Sequence, residues 1–251
     1  MGRQAALQQL IATVQRRWGA HALRLLGEEA APAVAVLPTG FAALDAALGI
    51  GGMPRGRLTE LLGTPTSGAT TLALTLLARA QAAGDLAGYV DLSRTFDAEI
   101  AALLGVDLAA LLLVRPVSAA DALEIILALA GSGGLGALVV DSLALLQSKH
   151  QDAMLLEQAL RGLPATLSAS PTALVALTPL PYTPAFTRAI AFTGSFVGHA
   201  AALRLHIARE AWLTAEHGPP GCHARVSVLK HQLAPAGGDA QVLISFPEAA
   251  P

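Results

Sequence analysis

The residues of this chain best suited to chemistry follow the apolar run Arg57 to Leu62, in the stretch Gly63-Thr64-Pro65-Thr66-Ser67-Gly68-Ala69-Thr70-Thr71. Gly63 and Gly68 with four residues between them, then two hydroxyl residues and an apolar helical segment, form the frame of a phosphate-binding loop. In such a loop backbone N–H groups receive phosphate at a helix N-terminus, a lysine after the second glycine reaches the outer phosphates, and the hydroxyl holds Mg²⁺. Ala69 stands at the lysine position and carries no charge. Losing hydrogen bonds from a charged donor costs about 1.5–3 kcal/mol each, and each 1.4 kcal/mol is about tenfold in affinity. Catalysis suffers more, because stabilising charge on a transferred phosphoryl group is commonly worth about 10²–10³ in rate. The competing reading is a glycine-rich strand-to-helix turn that serves packing alone. Farther on, Ala137-Leu-Val-Val-Asp141 reads as a buried strand ending in a carboxylate, placed to hold a magnesium-bound water.

These residues need a scaffold, and the hydrophobic pattern supplies one. Strand-like runs at Arg57–Leu62, Ala87–Leu92, Leu111–Val114, Ala137–Asp141 and Ala173–Thr178 alternate with helical stretches near 69–83, 97–104, 119–130 and 151–161. That alternation predicts an α/β fold with a mostly parallel twisted sheet flanked by helices, whose ligands sit at the carboxyl ends of the strands. Ala202–Leu213, His223–Gln232 and Gln241–Phe246 read as further strands, expected as antiparallel additions at one edge. Upstream, Leu7, Leu10, Ile11, Val14 and Trp18 fall at helical spacing over residues 4–18. A short strand at Ala22–Leu26 and a linker over Gly27–Pro32 complete an arm of residues 1–33 ahead of a core of residues 34–251.

Composition narrows the function classes. Among 251 residues, 53% are hydrophobic and 14% charged, which suits a large buried core and opposes extended disorder. No apolar run is long enough to cross a membrane, and the first residues lack the apolar centre of a signal peptide, so a cytoplasmic location is expected. One cysteine, Cys222, excludes an internal disulfide and a cysteine-cluster metal site. A formal charge of −2 gives no global field for nucleic acid.

The approach to the loop, Leu37-Pro38-Thr39-Gly40-Phe41, Leu44-Asp45, Ala47-Leu48-Gly49, Gly51-Gly52-Met53-Pro54-Arg55-Gly56-Arg57 and Glu60, resembles the RecA recombinase superfamily. Gly105-Val106-Asp107 and Val226-Ser227-Val228-Leu229-Lys230-His231-Gln232 match it in order and spacing, as does Trp18 to Glu28. The resemblance implies a RecA-like core and assigns roles to positions that have changed. The family's general base, a glutamate, aligns with Ser93, its phosphate-sensing glutamine aligns near Pro179, and of two lysines acting across a subunit interface Lys230 matches one while Gln232 replaces the other. Losing a general base alone costs about 10²–10⁴ in rate. The site Gly63, Ser67, Gly68, Ala69, Thr70, Thr71, Ser93, Asp141 and Pro179 is therefore expected to be vestigial, with ATP and Mg²⁺ binding weak or absent, no other cofactor and no metal. Arg55, Arg57, Arg79 and Arg94 are the candidate cations to stand in for the lysine, against the alternative of ordinary surface arginines, and Asp91 is a candidate substitute base.

In the family the first helix builds the filament, so Leu7, Leu10, Ile11, Val14 and Trp18 are the expected partner interface, against the alternative of a helix folded back on its own domain. The family's second DNA loop corresponds to Pro179–Gly198, where Tyr182, Phe186, Phe192 and Phe196 accompany the single charged residue Arg188. Core packing, a protein-partner surface and base stacking with Lys230 nearby remain open for that loop. The chain is similar to the ImuA group of RecA-like accessory proteins of translesion-synthesis cassettes. That similarity implies a non-catalytic role in the bacterial DNA damage response, with RecA or an ImuB-like polymerase homologue as partner, possible self-association and weak or indirect DNA contact; with Pro251 soon after the last core strand, the small C-terminal domain of the recombinases is expected to be absent. A weak rewired ATPase and a free-standing single-stranded DNA binder are the alternatives.

Overall fold

The computed structural model describes residues 2–19, 22–23, 34–147, 150–181, 196–213 and 221–245. The chain divides into two units, Met1–Ala33 and Val34–Pro251. In the first, helix α1 (Gly2–Trp18) carries Arg16 and Arg17 in its last turn, where cations complement the helix dipole. Leu7, Leu10 and Trp18 are exposed on it, Ile11 and Val14 half-buried. Ala22 and Leu23 are not in a strand, while the rest of the strand expected to Leu26 and the linker after it lie outside the described residues.

In the second unit, β1 (Val36–Leu37) and β2 (Met53–Pro54) pair antiparallel on either side of α2 (Ala42–Leu48). The main elements follow: β3 (Arg57–Gly63), α3 (Ala69–Ala82), β4 (Leu86–Asp91), α4 (Ala98–Leu103), β5 (Leu111–Val114), α5 (Ala119–Gly131), β6 (Leu135–Asp141) and α6 (His150–Ser168). The chain continues through β7 (Ala173–Pro179), α7 (Phe196–Ala200), β8 (Leu203–Leu213), β9 (Gly221–His231) and β10 (Asp239–Ser245). Eight strands form one sheet in the order β10-β9-β8-β3-β7-β6-β4-β5. Strands buried on both faces read as continuous apolar runs, and β3, β6 and β7 do so because helices cover them on both sides. On one side Leu72, Leu76 and Leu77 of α3 pack on Leu61, Val139, Val175 and Leu205. On the other, Ile126 of α5 and Leu156, Leu160 and Leu163 of α6 pack on Leu58, Leu138 and Leu174.

Two sequence expectations need correction. β8 is not an antiparallel addition: it runs parallel to β3, and the direction reverses only at β9 and β10. Helix α6 continues past 161 to Ser168 through Pro164, because Leu163 and Leu167 prolong the buried stripe begun by Leu156 and Leu160. Proline there removes one backbone donor, and burial of two further leucines, at about 1.5–3 kcal/mol each, offsets it. Among the described residues no helix is long and apolar enough to cross a membrane.

Two polar arrangements pin the sheet, one buried and one half-buried. Glu60 of β3 lies directly opposite Arg204 of β8, with Arg204 Nε 2.6 Å from Glu60 Oε2, and Thr178 Oγ1 of β7 donates to Glu60 Oε1 at 2.9 Å. His231 ends β9: its Nδ1 accepts from the N–H groups of Leu233 and Ala234, both at 3.1 Å, and its Nε2 lies 3.1 Å from the Leu48 carbonyl of α2. An imidazole that accepts at Nδ1 and donates at Nε2 is neutral, and burial holds its pKa below the usual value.

Glu60→Leu strands the Arg204 charge in the core and is expected to cost about 3–5 kcal/mol in urea unfolding, with most of it recovered when Glu60→Leu is combined with Arg204→Met. A single-variant cost below about 1 kcal/mol would show that the pair does not hold these strands. Above the unfolded imidazole pKa of about 6.5 the His231 ring is neutral folded and unfolded alike; below it the unfolded chain takes up protons first, so stability falls until the lowered folded pKa is passed. His206, lowered by burial, acts in the same direction. Melting temperature is expected to drop as pH falls through this window, and less steeply in His231→Gln; an unchanged slope in that variant would assign the drop to other groups.

Candidate functional site

The loop of residues 63–71 leaves the carboxyl end of the central strand β3, between Pro179 of β7 and Ile207 of β8. Its turn is closed by Ser67 N–H donating to Thr64 O at 3.0 Å, and α3 begins with Leu72 N–H donating to Gly68 O at 2.9 Å. Gly68 sits at φ 98°, a left-handed conformation that favours glycine, and a Cβ there would press on the side-chain tip of Ile244 of β10. Gly63, Ser67, Gly68, Ala69, Thr70, Thr71, Asp141 and Pro179 come together around a cleft of about 370 Å³, joined by Ile100 and Trp212. Asp141 is the one ionisable side chain among the described residues lining it. Ser67 Oγ is buried with no hydrogen-bond partner among the described residues. Against a nucleoside triphosphate the fit is partial: the shape and backbone donors of a phosphate cradle are present, and the side-chain cation that would hold outer phosphates is missing from the lining.

Ser93 stands beside this cleft in a network centred on two aspartates at the ends of adjacent strands, Asp91 of β4 opposite Asp141 of β6. Asp141 accepts from Tyr89 OH at 2.8 Å and Thr95 Oγ1 at 3.4 Å. Burial first, then the Asp141 charge, pushes the Tyr89 phenol far above its ordinary range, so it remains a donor to that carboxylate. Asp91 is fully buried and accepts from Arg115 Nε at 2.9 Å, Thr95 N–H at 3.0 Å and Phe96 N–H at 3.4 Å. Ser93 Oγ lies 2.6 Å from Thr95 Oγ1 and 3.5 Å from Asp91 Oδ1. Asp91 is thus buried, bonded to these donors and not part of the cleft lining, so it is not placed to meet a water there.

None of the four arginines considered as lysine replacements lines the cleft. Arg55 pairs with Asp85 at 2.7 Å, Arg57 donates to Gly56 O, Arg79 lies beside Gly40, and Arg94 donates to Pro116 O. The cation that does reach the loop is Arg209 of β8, whose Nη1 donates to Thr66 O at 3.0 Å and to Thr66 Oγ1. Sequence reasoning missed it. A basic residue at the carboxyl end of a strand flanking the loop is the available signal, but it requires knowing that β8 is parallel to β3.

Lys230 is also committed: its Nζ donates to Gly198 O at 3.0 Å and His199 O at 2.9 Å, closing the C-terminus of α7, where Phe196 is exposed at the start. Burial and then Arg204 lower the Lys230 pKa, with Glu60 opposing. Tyr182, Phe186, Arg188 and Phe192 lie outside the described residues. The α1 residues belong to the other unit.

The family model of the RecA N-terminal domain matches residues 5–250. The chain is similar to the RecA protein of Thermus aquaticus, 36% identical over 264 residues, covering 96% of this chain and 76% of the relative. The RecA proteins of Kineococcus radiotolerans and Mycolicibacterium gilvum are each 36% identical over 255 residues, covering 93% of this chain and 71% of the relative. A phosphate-type loop on a central parallel strand, a following strand that ends in Asp141, and a family match across almost the whole sequence lead to one conclusion: this chain belongs to the RecA N-terminal domain family.

Proposed function

We propose that this RecA-like chain is a non-catalytic accessory protein of the bacterial DNA damage response, similar to ImuA, that binds RecA or an ImuB-like polymerase homologue during translesion synthesis. The observation that carries the reading is the charge of the cleft: the only ionisable side chain on its described lining is a carboxylate, Asp141, with Ala69 at the lysine position. Ser93, held by Thr95 and Asp91, has no proton-accepting strength at neutral pH, and Pro179 has no side-chain donor. Fold and backbone cradle persist without the groups that act on phosphate. Leu7, Leu10 and Trp18, exposed on α1, supply an apolar surface for a partner.

A second reading, a weak nucleotide-binding protein, is favoured by one observation, the Arg209 guanidinium at the loop. Calorimetry with ATP and Mg²⁺ separates the two: the accessory reading expects no binding tighter than about 10 micromolar and no phosphate release. A dissociation constant below that value with turnover would overturn it.

Restoring the lysine with Ala69→Lys is expected to tighten ATP binding by about 10- to 100-fold, the equivalent of a charged hydrogen bond or two, without restoring turnover. Turnover appearing in Ala69→Lys alone would show that a working base survives in the site. Leu10→Asp is expected to abolish capture of purified RecA or of the polymerase homologue while leaving the melting of the core unchanged; retained capture would move the interface away from α1.

A further inference from the structure

Thr66 is a β-branched residue at φ 63°, in the left-handed region that such side chains rarely adopt, so something must hold it there. In a loaded phosphate loop the ligand organises the backbone. Here a side chain of the protein bonds the same segment: Arg209 Nη1 donates to both the carbonyl and the hydroxyl of Thr66. Bonding both acceptors of one residue from one guanidinium nitrogen fixes the direction of its peptide plane and its side-chain torsion together. Arg209 is itself held, because its guanidinium lies 4.2 Å from the centroid of the Trp212 ring, and Trp212 forms part of the cleft wall.

The sheet explains how these two side chains meet. In a regular strand residues three apart point to opposite faces, so Arg209 and Trp212 would be separated. The ladder between β8 and β9 slips there: Arg209 pairs with Ala224 and Ala211 with His223, leaving Glu210 as an extra residue. Such a bulge reverses the alternation beyond it and re-aims side chains. Arg209, two residues past Ile207 on the face that packs against α3, and Trp212 after the bulge therefore share one side. The base of this arm is fixed, since β8 is laddered to β3 up to Gly63↔Ile207 and tied by the Glu60–Arg204 pair.

We infer that Arg209, stacked on Trp212, is a positioning residue that holds the phosphate loop in its cradle form without a bound ligand. The guanidinium takes over the organising role of the phosphate, and the loop keeps one shape whether nucleotide is present or not. If the accessory reading above holds, on which this consequence alone rests, the face around the cleft is offered to a partner in a nucleotide-independent state.

Hydrogen exchange of the whole chain, followed by mass spectrometry on peptides covering residues 62–72, tests this. Wild-type exchange over the loop is expected to be the same with and without millimolar ATP and Mg²⁺. Arg209→Ala should speed exchange about tenfold in the loop alone, leaving β3, β7 and the overall melting temperature unchanged, whereas Arg161→Ala, which removes an exposed arginine on α6, should not. Arg209→Lys should restore the protection only partly, because an ammonium offers no planar fork to lie on the indole. In a Trp18→Phe background Trp212 is the single tryptophan, and Arg209→Ala should shift its emission and raise its quenching by acrylamide. Unchanged loop exchange in Arg209→Ala overturns the inference. So does loop protection that appears in wild type only on adding ATP and vanishes in Arg209→Ala, which would make Arg209 a phosphate ligand. Failure of the accessory reading is a separate result, namely tight ATP binding with turnover in wild type.

Discussion

The interaction on which the rest of the structure depends is the buried pair of Glu60 and Arg204. Two charges removed from water are favourable only when their remaining donors and acceptors are met, and here Thr178 supplies a donor to Glu60 from the strand on the other side. One carboxylate thereby links β7, β3 and β8 near the middle of the sheet. Such a pair adds little net stability over apolar packing, but it admits one register, because sliding β8 by a residue would bury both charges unpaired. The register decides function. It sets Ile207 against Gly63, carries Arg209 to the loop, and places Lys230 opposite Arg204, where it closes α7.

Shape and charge in this cleft are properties of different kinds. The shape of the loop is distributed: it comes from the central position of β3, the left-handed glycine at the start of α3, the packing of Ile244 on that glycine and the hold of Arg209 on Thr66. It rests on several elements at once, of which the Arg209 contact is one. The charge is local, and one residue such as Ala69 deletes it. A RecA-family core can therefore lose its phosphate chemistry while its fold stays intact.

Much of this was legible in the sequence, and the limits were physical. Alternating apolar runs identified β3, β4, β5, β6 and β7, and the spacing of glycines identified the loop, because both signals are local. The direction of β8 was not legible, since a strand buried against parallel and antiparallel neighbours shows the same apolar pattern. The extension of α6 through Pro164 was hidden because proline is read as a stop, and burial of Leu163 and Leu167 outweighs the lost donor. The commitment of Asp91 to Arg115 and of Lys230 to the α7 carbonyls depends on residues brought together from 24 and 31 positions apart, and no periodicity reports such pairs. Arg209 was hidden twice, by the direction of its strand and by the bulge at Glu210.

The energetics of the loop bear on what it is for. A β-branched residue held at positive φ costs on the order of 1–3 kcal/mol, and Ser67 Oγ sits buried with no hydrogen-bond partner among the described residues, itself worth roughly 1–3 kcal/mol. A turn that served packing alone would be relieved of both by a small change of backbone, and Ala69 offers no cation through which tight phosphate binding would reward the strain. What opposes that relaxation is an arginine anchored on a tryptophan at the mouth of the cleft. The strain is thus met from the protein's own surface, by a side chain held against Trp212 in the cleft wall.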